Sequence, residues 1–288
     1  MKIGVIGAGA WGTALAITAA RGGADVKLWS FDGEFKQFDD VTMPNNLTIT
    51  RQMSDLRDMD TWLMVTPASF FRDTMMNAEP FYNDQPVIIC TKGAEYATGK
   101  FMSEVLHDTL PGCTDFGVLS GPQFAAEVAR GVPTGSTLAG TERAIAAGQV
   151  ALNKLYLSPS SDVIGAELCG VGKNAVALIS GYITVAGRGE NERALIFTRA
   201  WGEIAEIGRT SGAKTETFLE LCGIGDLFLS ATSPTSRNFS GGMSIARGEK
   251  PTGTVEGIFA LIGLIRRAEQ IGVSTPVLCE MCDKMGLN

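Results

Sequence analysis

Lys2-Ile3-Gly4-Val5-Ile6-Gly7-Ala8-Gly9-Ala10-Trp11-Gly12-Thr13-Ala14-Leu15 stands at the start of the chain. An apolar run that ends in Gly-x-Gly-x-x-Gly and passes into alanine-rich sequence predicts a strand, a tight turn and a helix. In that context Gly7 allows the turn, Gly9 lets a pyrophosphate approach the backbone, and Gly12 lets helix and strand pack closely. The helix N-terminus beyond it offers free amides and a partial positive charge. The stretch predicts a dinucleotide site; the competing reading is a glycine-rich turn without a ligand.

Outward from this turn, short β-branched runs alternate with helical stretches as far as about Asp162. The pattern predicts an α/β fold, a Rossmann-type doubly wound parallel sheet with helices on both faces. Expected strands are 3–6, 26–29, 62–65, 87–90, 116–119 and 136–139. Expected helices are 13–21, 69–77, 99–110, 123–130 and 141–155. The loops after Ile6, Val65, Cys90 and Leu119 then face the ligand. After Ile164 only three-and-four apolar spacing remains, over 167–184, 192–209, 215–222 and 255–271. An all-helical C-terminal domain is expected. Ser158-Pro159-Ser160-Ser161-Asp162 reads as the boundary, leading into a final short strand and giving domains 1–163 and 164–288.

The length of 288 residues suits two modest domains. A formal net charge of −7 argues against nucleic acid or an anionic membrane surface as partners. Because the chain runs directly into the glycine motif, no secretory leader is expected, and the location is expected to be cytoplasmic. The weakly polar stretch Ala175–Gly187, interrupted by Ser180, Tyr182 and Thr184, reads as too short to cross a bilayer and as a buried helix. Six cysteines are expected to be reduced. Cys279-Glu280-Met281-Cys282 has no second pair and no nearby histidine, so helix packing is favoured over a metal or redox role. No metal site is expected.

The single histidine, His107, sits on the polar side of an amphipathic helix and reads as solvated. Reduction of a ketone needs a proton donor, so attention moves to lysine. Lys92, in Thr91-Lys92-Gly93, projects from a ligand-facing strand end. Lys173, in Gly170-Val171-Gly172-Lys173-Asn174, opens an apolar run. By itself it fits either a poorly solvated amine able to exchange a proton or a side chain snorkelling from a helix end. Ser236-Arg237-Asn238 fits either a phosphate-binding loop or a helix cap with a surface arginine. At the end of the second strand stand Ser30 and Phe31, followed by Asp32, which fits either a ribose contact or the cap of a next helix. Lys36 nearby tilts the expectation slightly toward NADP without excluding NAD.

Together these residues carry a resemblance. The chain resembles the bacterial NAD(P)-dependent glycerol-3-phosphate dehydrogenases in GAGAWGTALA at 7–16, TKG at 91–93, SGPQFAAEVA at 120–129 and GVGKN at 170–174. ENERA at 190–194, CGIGDL at 222–227, SRN at 236–238 and VEG at 255–257 follow in the family order. The resemblance implies interconversion of dihydroxyacetone phosphate and sn-glycerol 3-phosphate, supplying the backbone of phospholipids. It implies Lys173 as general acid/base, Lys92 touching cofactor and substrate, and Asp226 orienting the catalytic lysine. Gly121, Gln123, Ser236, Arg237 and Asn238 are implied at the substrate. Gly7, Gly9, Ala10, Trp11, Gly12, Phe31, Lys92, Ala125, Arg237, Thr254 and Glu256 are implied at the dinucleotide. Gln123 stands where the family often has Thr, and Phe31 replaces a common polar residue. The chain stops soon after Cys282, where relatives usually continue, which suggests exposed apolar surface and a homodimer. A reductase of a β-hydroxyacid or keto acid, or a dinucleotide sensor without turnover, are the rival readings.

Overall fold

The computed structural model describes residues 1–287. They form two compact units, Met1–Lys92 with Phe101–Val163, and Gly93–Lys100 with Ile164–Asn288.

In the first unit the order is β1 (Lys2–Ile6), α1 (Ala10–Arg21), β2 (Asp25–Trp29), β3 (Leu47–Thr50), β4 (Thr61–Met64), α2 (Ala68–Ala78) and β5 (Val87–Ile89). There follow α3 (Met102–Thr109), β6 (Phe116–Ser120), α4 (Ala125–Arg130), β7 (Gly135–Gly140), α5 (Glu142–Ala151) and β8 (Tyr156–Ser160). One sheet of eight strands runs β3-β2-β1-β4-β5-β6-β7-β8. Every residue of β4 and β5 is buried, the near-continuous apolar reading of strands covered on both faces. The order reverses at β1, which pairs in parallel with both β2 and β4. The carboxyl ends of β1 and β4 therefore flank the crevice where such sheets take ligands.

Several local expectations need correction. The sheet is not wholly parallel, because β7 pairs antiparallel with β6. The connection between them holds only the six-residue α4 and turns back through Gly131-Val132-Pro133. The strand β3, Leu-Thr-Ile-Thr, lies outside the expected set; only Leu47 is buried, so no apolar run marks this edge. The stretch 158–162 is largely edge strand rather than linker, and an edge tolerates Pro159. Expected helix 99–110 begins only at Met102, and no helix follows Asp32 for it to cap.

The second unit contains α6 (Val163–Val185), α7 (Glu190–Thr210), α8 (Asp226–Thr232), α9 (Arg237–Ala246), α10 (Glu256–Ile271) and α11 (Pro276–Lys284). The central α6 is longer than its apolar stretch suggested. Its 23 residues reach membrane-spanning length and include an 18-residue window of mean hydropathy 1.3, yet 83% of that window is buried inside the protein. Gly172 faces Ile204 and Trp201 of α7, where a Cβ would lie 2.7 Å from the Ile204 side chain. Small residues thus let neighbouring helices close on α6. The expected helix 215–222 is instead a 3-10 turn, Thr215–Leu219, followed by a π turn, Leu221–Gly225, which delivers Asp226 to the start of α8. Glu203 of α7 caps α11, its carboxylate accepting from the amides of Val277 at 2.9 Å and Leu278 at 3.0 Å. Residues 93–100 join this unit through Tyr96, edge-on to Phe259 at 5.6 Å with the Arg266 guanidinium 5.3 Å above its ring.

Candidate active site

The glycine turn of the first unit has the geometry its sequence requires. Gly7 sits at φ +115°, a left-handed conformation that favours glycine, and a Cβ there would lie 3.0 Å from the Val65 backbone. The turns after β1 and β4 consequently touch. A Cβ on Gly12 would come within 1.8 Å of the Gly7 carbonyl oxygen, whereas one on Gly9 would meet nothing within 4 Å. Gly9 caps α1, and no acidic residue occupies the first turn of that helix. Its opening amides, from Ala10 onward, are available to an anion.

Beside this turn lie polar atoms that the protein itself does not satisfy. Trp11 packs against the core with Ala8 and Ala125, and its indole Nε1 is buried with no partner among the described residues. Both polar atoms of the Gln123 carboxamide, and the hydroxyls of Thr66, Ser120 and Ser136, are likewise buried and unpartnered. Buried donors and acceptors are normally bonded, so a set of orphans along the strand-end loops marks a place that binds something. The open approach at Gly9, the amides of α1 and these orphans fit a dinucleotide.

Lys92 and Gly121 are brought together, the lysine Nζ donating to the Gly121 carbonyl at 2.8 Å. Thr91 steadies the same loop, its hydroxyl donating to the Thr66 carbonyl at 2.7 Å. A Cβ on Gly121 would fall 2.6 Å from Ser136 Cα, so β7 leaves room only for glycine. Phe31 is 83% exposed. Asp32 closes a turn, its Oδ1 accepting from the Ser30 hydroxyl at 3.0 Å and the Glu34 amide at 2.9 Å. These bonds, the Glu34 amide first and then the Ser30 hydroxyl, hold the exposed carboxyl below the usual aspartate range.

In the second unit Lys173 does not snorkel to solvent. Its side chain is 13% exposed and its Nζ lies 3.3 Å from Asp226 Oδ1, a carboxylate 1% exposed. The same Nζ donates to Ser230 Oγ at 3.0 Å, and that hydroxyl donates to Asp226 Oδ1 at 3.2 Å. A closed triangle of amine, hydroxyl and carboxylate results. Ser230 went unnoticed in the sequence; the signal was its place four residues after Asp226, on the same helical face.

Ser236 is the N-cap of α9, its hydroxyl accepting from the Phe239 amide at 3.4 Å, and Arg237 is exposed at the first helical position. Cap and phosphate loop are therefore compatible readings of the same residues. Asn238 is instead 8% exposed and bonded inward, to Asn174 and to the Gly257 amide. Glu256 opens α10, partly buried, after an exposed Thr254. His107 is exposed on α3 and meets Phe116 edge-on at 5.0 Å. None of the six cysteines is in a disulfide, and no cluster of metal-ligating side chains occurs among the described residues.

Comparison with known proteins places this arrangement. Residues 2–146 match the family described as NAD-dependent glycerol-3-phosphate dehydrogenase N-terminus, and residues 162–284 match the corresponding C-terminus. A glycerol-3-phosphate dehydrogenase (NAD(P)+) from Bradyrhizobium sp. strain BTAi1 is 39% identical over 96% of this chain and 89% of its own length. One from Gluconobacter oxydans is 38% identical over 96% of this chain and 90% of its own. The crystal structure of glycerol-3-phosphate dehydrogenase from Coxiella burnetii superposes with a TM-score of 0.90 at 26% identity, covering 99% of this chain and 94% of that one. A ketopantoate reductase from Ralstonia eutropha, at 17% identity and a TM-score of 0.66, shares the fold. The chain belongs to the NAD-dependent glycerol-3-phosphate dehydrogenase family.

Proposed function

We propose that this chain interconverts dihydroxyacetone phosphate and sn-glycerol 3-phosphate with NAD or NADP, Lys173 serving as the general acid and base. The observation that carries the reading is the buried amine–hydroxyl–carboxylate triangle of Lys173, Ser230 and Asp226 in a chain of this family. The residues that would hold a dinucleotide are Gly7, Gly9, Ala10, Trp11, Gly12 and Ala125, with Thr254 and Glu256 implied by the family, and that group would supply the hydride for the ketone carbon. Lys173 delivers a proton from Nζ to the carbonyl oxygen in reduction and removes it in oxidation. Asp226 keeps the amine aimed and compensates its charge, and Ser230 fixes the distance between them. Lys92, held at the Gly121 carbonyl, orients the substrate, and Gln123 offers it an unpartnered amide. Arg237 and the opening amides of α9 hold the phosphate, since a helix N-terminus and a guanidinium both suit a dianion. The product supplies the glycerol backbone of phospholipids, and we place the enzyme in the cytoplasm as a homodimer.

The test is loss of reduced nicotinamide absorbance on adding dihydroxyacetone phosphate, with NADH and with NADPH in turn. Turnover with the phosphate ester and little with dihydroxyacetone supports the reading. Arg237→Ala should cost about 2–5 kcal/mol in kcat/KM for the ester, the cost of removing one partner of a charge pair. Equal use of the unphosphorylated ketone by the wild type would remove the phosphate site from the proposal.

A further inference from the structure

We propose that Arg51 is the specificity-determining residue at the adenosine end of the dinucleotide site, its guanidinium receiving the 2′-phosphate that distinguishes NADP from NAD. The inference rests on the reading of the glycine turn as a dinucleotide site. In folds of this kind an acid at the carboxyl end of the second strand takes the ribose hydroxyls of NAD, and an arginine nearby accommodates the 2′-phosphate of NADP. The glycine turn reaches that end directly, since the Gly7 amide donates to the Trp29 carbonyl at 3.1 Å. On the other flank β3 pairs with β2, Trp29 opposite Thr50, and the Ser30 amide donates to the Thr50 carbonyl at 2.9 Å. Arg51 is therefore the first residue past β3, level with Ser30 at the same end of the sheet.

No acid occupies the end of β2. Ser30 stands there, 3% exposed, and its hydroxyl is spent within the turn. It accepts from the Gly33 amide at 3.1 Å, and its one proton is shared between Asp32 Oδ1 and the Glu34 carbonyl. Asp32 is folded back into the same turn, so its Oδ1 serves the loop. The Arg51 side chain lies across this turn. Gly33 is left-handed, at φ +88°, and a Cβ on it would stand 3.1 Å from Arg51 Cδ and 3.5 Å from Cγ. Glycine thus leaves room for the arginine stem. The Arg51 carbonyl accepts from the Trp29 indole at 3.2 Å, which ties the residue to β2. Its positive charge reaches Asp32, where it adds to the Glu34 amide and the Ser30 hydroxyl in holding that carboxyl low. The guanidinium itself is exposed and makes no hydrogen bond or ion pair among the described residues. Asp55 is engaged instead by the Thr50 hydroxyl, at 2.6 Å. A phosphate monoester carries about −1.5 to −2 charges near neutral pH and matches the planar fork of an arginine. Lys36, the cation that the sequence suggested for NADP, is fixed through its backbone, its amide donating to the Ala8 carbonyl at 3.0 Å in the glycine turn.

The experiment titrates NADPH and NADH into the full-length protein, followed by fluorescence, without substrate and at low and raised ionic strength. The wild type should bind NADPH about tenfold or more tightly than NADH, and the preference should shrink with salt. Arg51→Gln should weaken NADPH about tenfold or more, the worth of hydrogen bonds to a charged group, and leave NADH within about twofold. Arg51→Lys keeps the charge without the fork and should fall between the two. A wild type that binds NADH the more tightly overturns the proposal, as does an equal loss of both dinucleotides in Arg51→Gln. Selective loss of NADPH in Lys36→Met, with Arg51→Gln binding it as the wild type does, would assign the phosphate to Lys36 and overturn it too. If the Arg51 variants do not fold, adenosine 2′,5′-bisphosphate and 5′-AMP are compared as ligands of the unaltered protein. Tighter binding of the bisphosphate is expected, and equal binding overturns the proposal. None of these measurements needs turnover. A wild type that binds NADPH through Arg51 yet leaves dihydroxyacetone phosphate unreduced would overturn the proposed reaction and not this inference.

Discussion

Exchanging Lys173 for Met, alone and together with Asp226→Asn, separates what this pair does for stability from what it does for chemistry. Asp226 is 1% exposed and Lys173 13%, with 3.3 Å between Nζ and Oδ1. Removing one member of a buried pair leaves the other charge in a poorly solvated site and costs about 3–5 kcal/mol. At about 2–4 °C per kcal/mol for a chain of this size, Lys173→Met should melt roughly 6–20 °C below the wild type. Asp226→Asn should lose a similar amount. Removing both charges eliminates the uncompensated one, so the double variant should recover much of the loss, and the coupling should exceed about 1 kcal/mol. Activity behaves differently: both variants lacking the amine should lose roughly 10²- to 10⁴-fold in kcat, because general acid catalysis goes with the lysine. Thermal melts and steady-state kinetics on the same four proteins decide the matter. Additive stability losses would show that the two charges do not form a coupled buried pair. Turnover within tenfold of wild type in Lys173→Met would show that another group supplies the proton.

Two glycines offer a contrast. Gly12→Ala forces a Cβ to within 1.8 Å of the Gly7 carbonyl, so the turn must open; NADH binding, by fluorescence titration, should weaken at least about tenfold and the melting temperature should fall. Gly9→Ala meets nothing within 4 Å and should change stability by less than about 1 kcal/mol while still weakening NADH, since its methyl stands where the pyrophosphate approaches. At the surface, Asp115 is held below the usual aspartate range first by the Arg143 guanidinium, 2.9 Å away, and then by the Thr141 hydroxyl. A carboxylate with a depressed folded pKa contributes stability above its unfolded value, which is lost as the pH falls through the folded one. With Arg143 half exposed, solvent screening keeps the loss in Arg143→Ala small at pH 7. Melts in acid should show that difference closing as Asp115 becomes protonated.

Sequence periodicity decided most of the architecture. Strands β1 beyond Lys2, β4 beyond Thr61 and β5 read as apolar runs because both of their faces are covered, and the glycine spacing of 7, 9 and 12 has few other structural uses. The edges were less legible. Only one residue of β3 is buried, and β8 carries a proline, so neither gives a hydrophobic signal of its own. The reversal of β7 was equally hidden, because strand direction depends on where the chain returns and leaves no mark on residue alternation.

The candidate site divides along the same line. Residue type and family order were enough to single out Lys92, Lys173, Asp226 and the 236–238 run, since those groups are legible as letters. What the letters do not carry is which atoms meet. Only the folded chain sets Ser230 between the amine and the carboxylate, turns Asn238 inward to Asn174, joins Lys92 to the Gly121 carbonyl and leaves the Gln123 amide without a protein partner. The physical reason is that periodicity records burial, which is a property of one residue and its face. Hydrogen bonds between residues 57 or 64 positions apart depend on how helices pack, and that is decided by the whole tertiary structure.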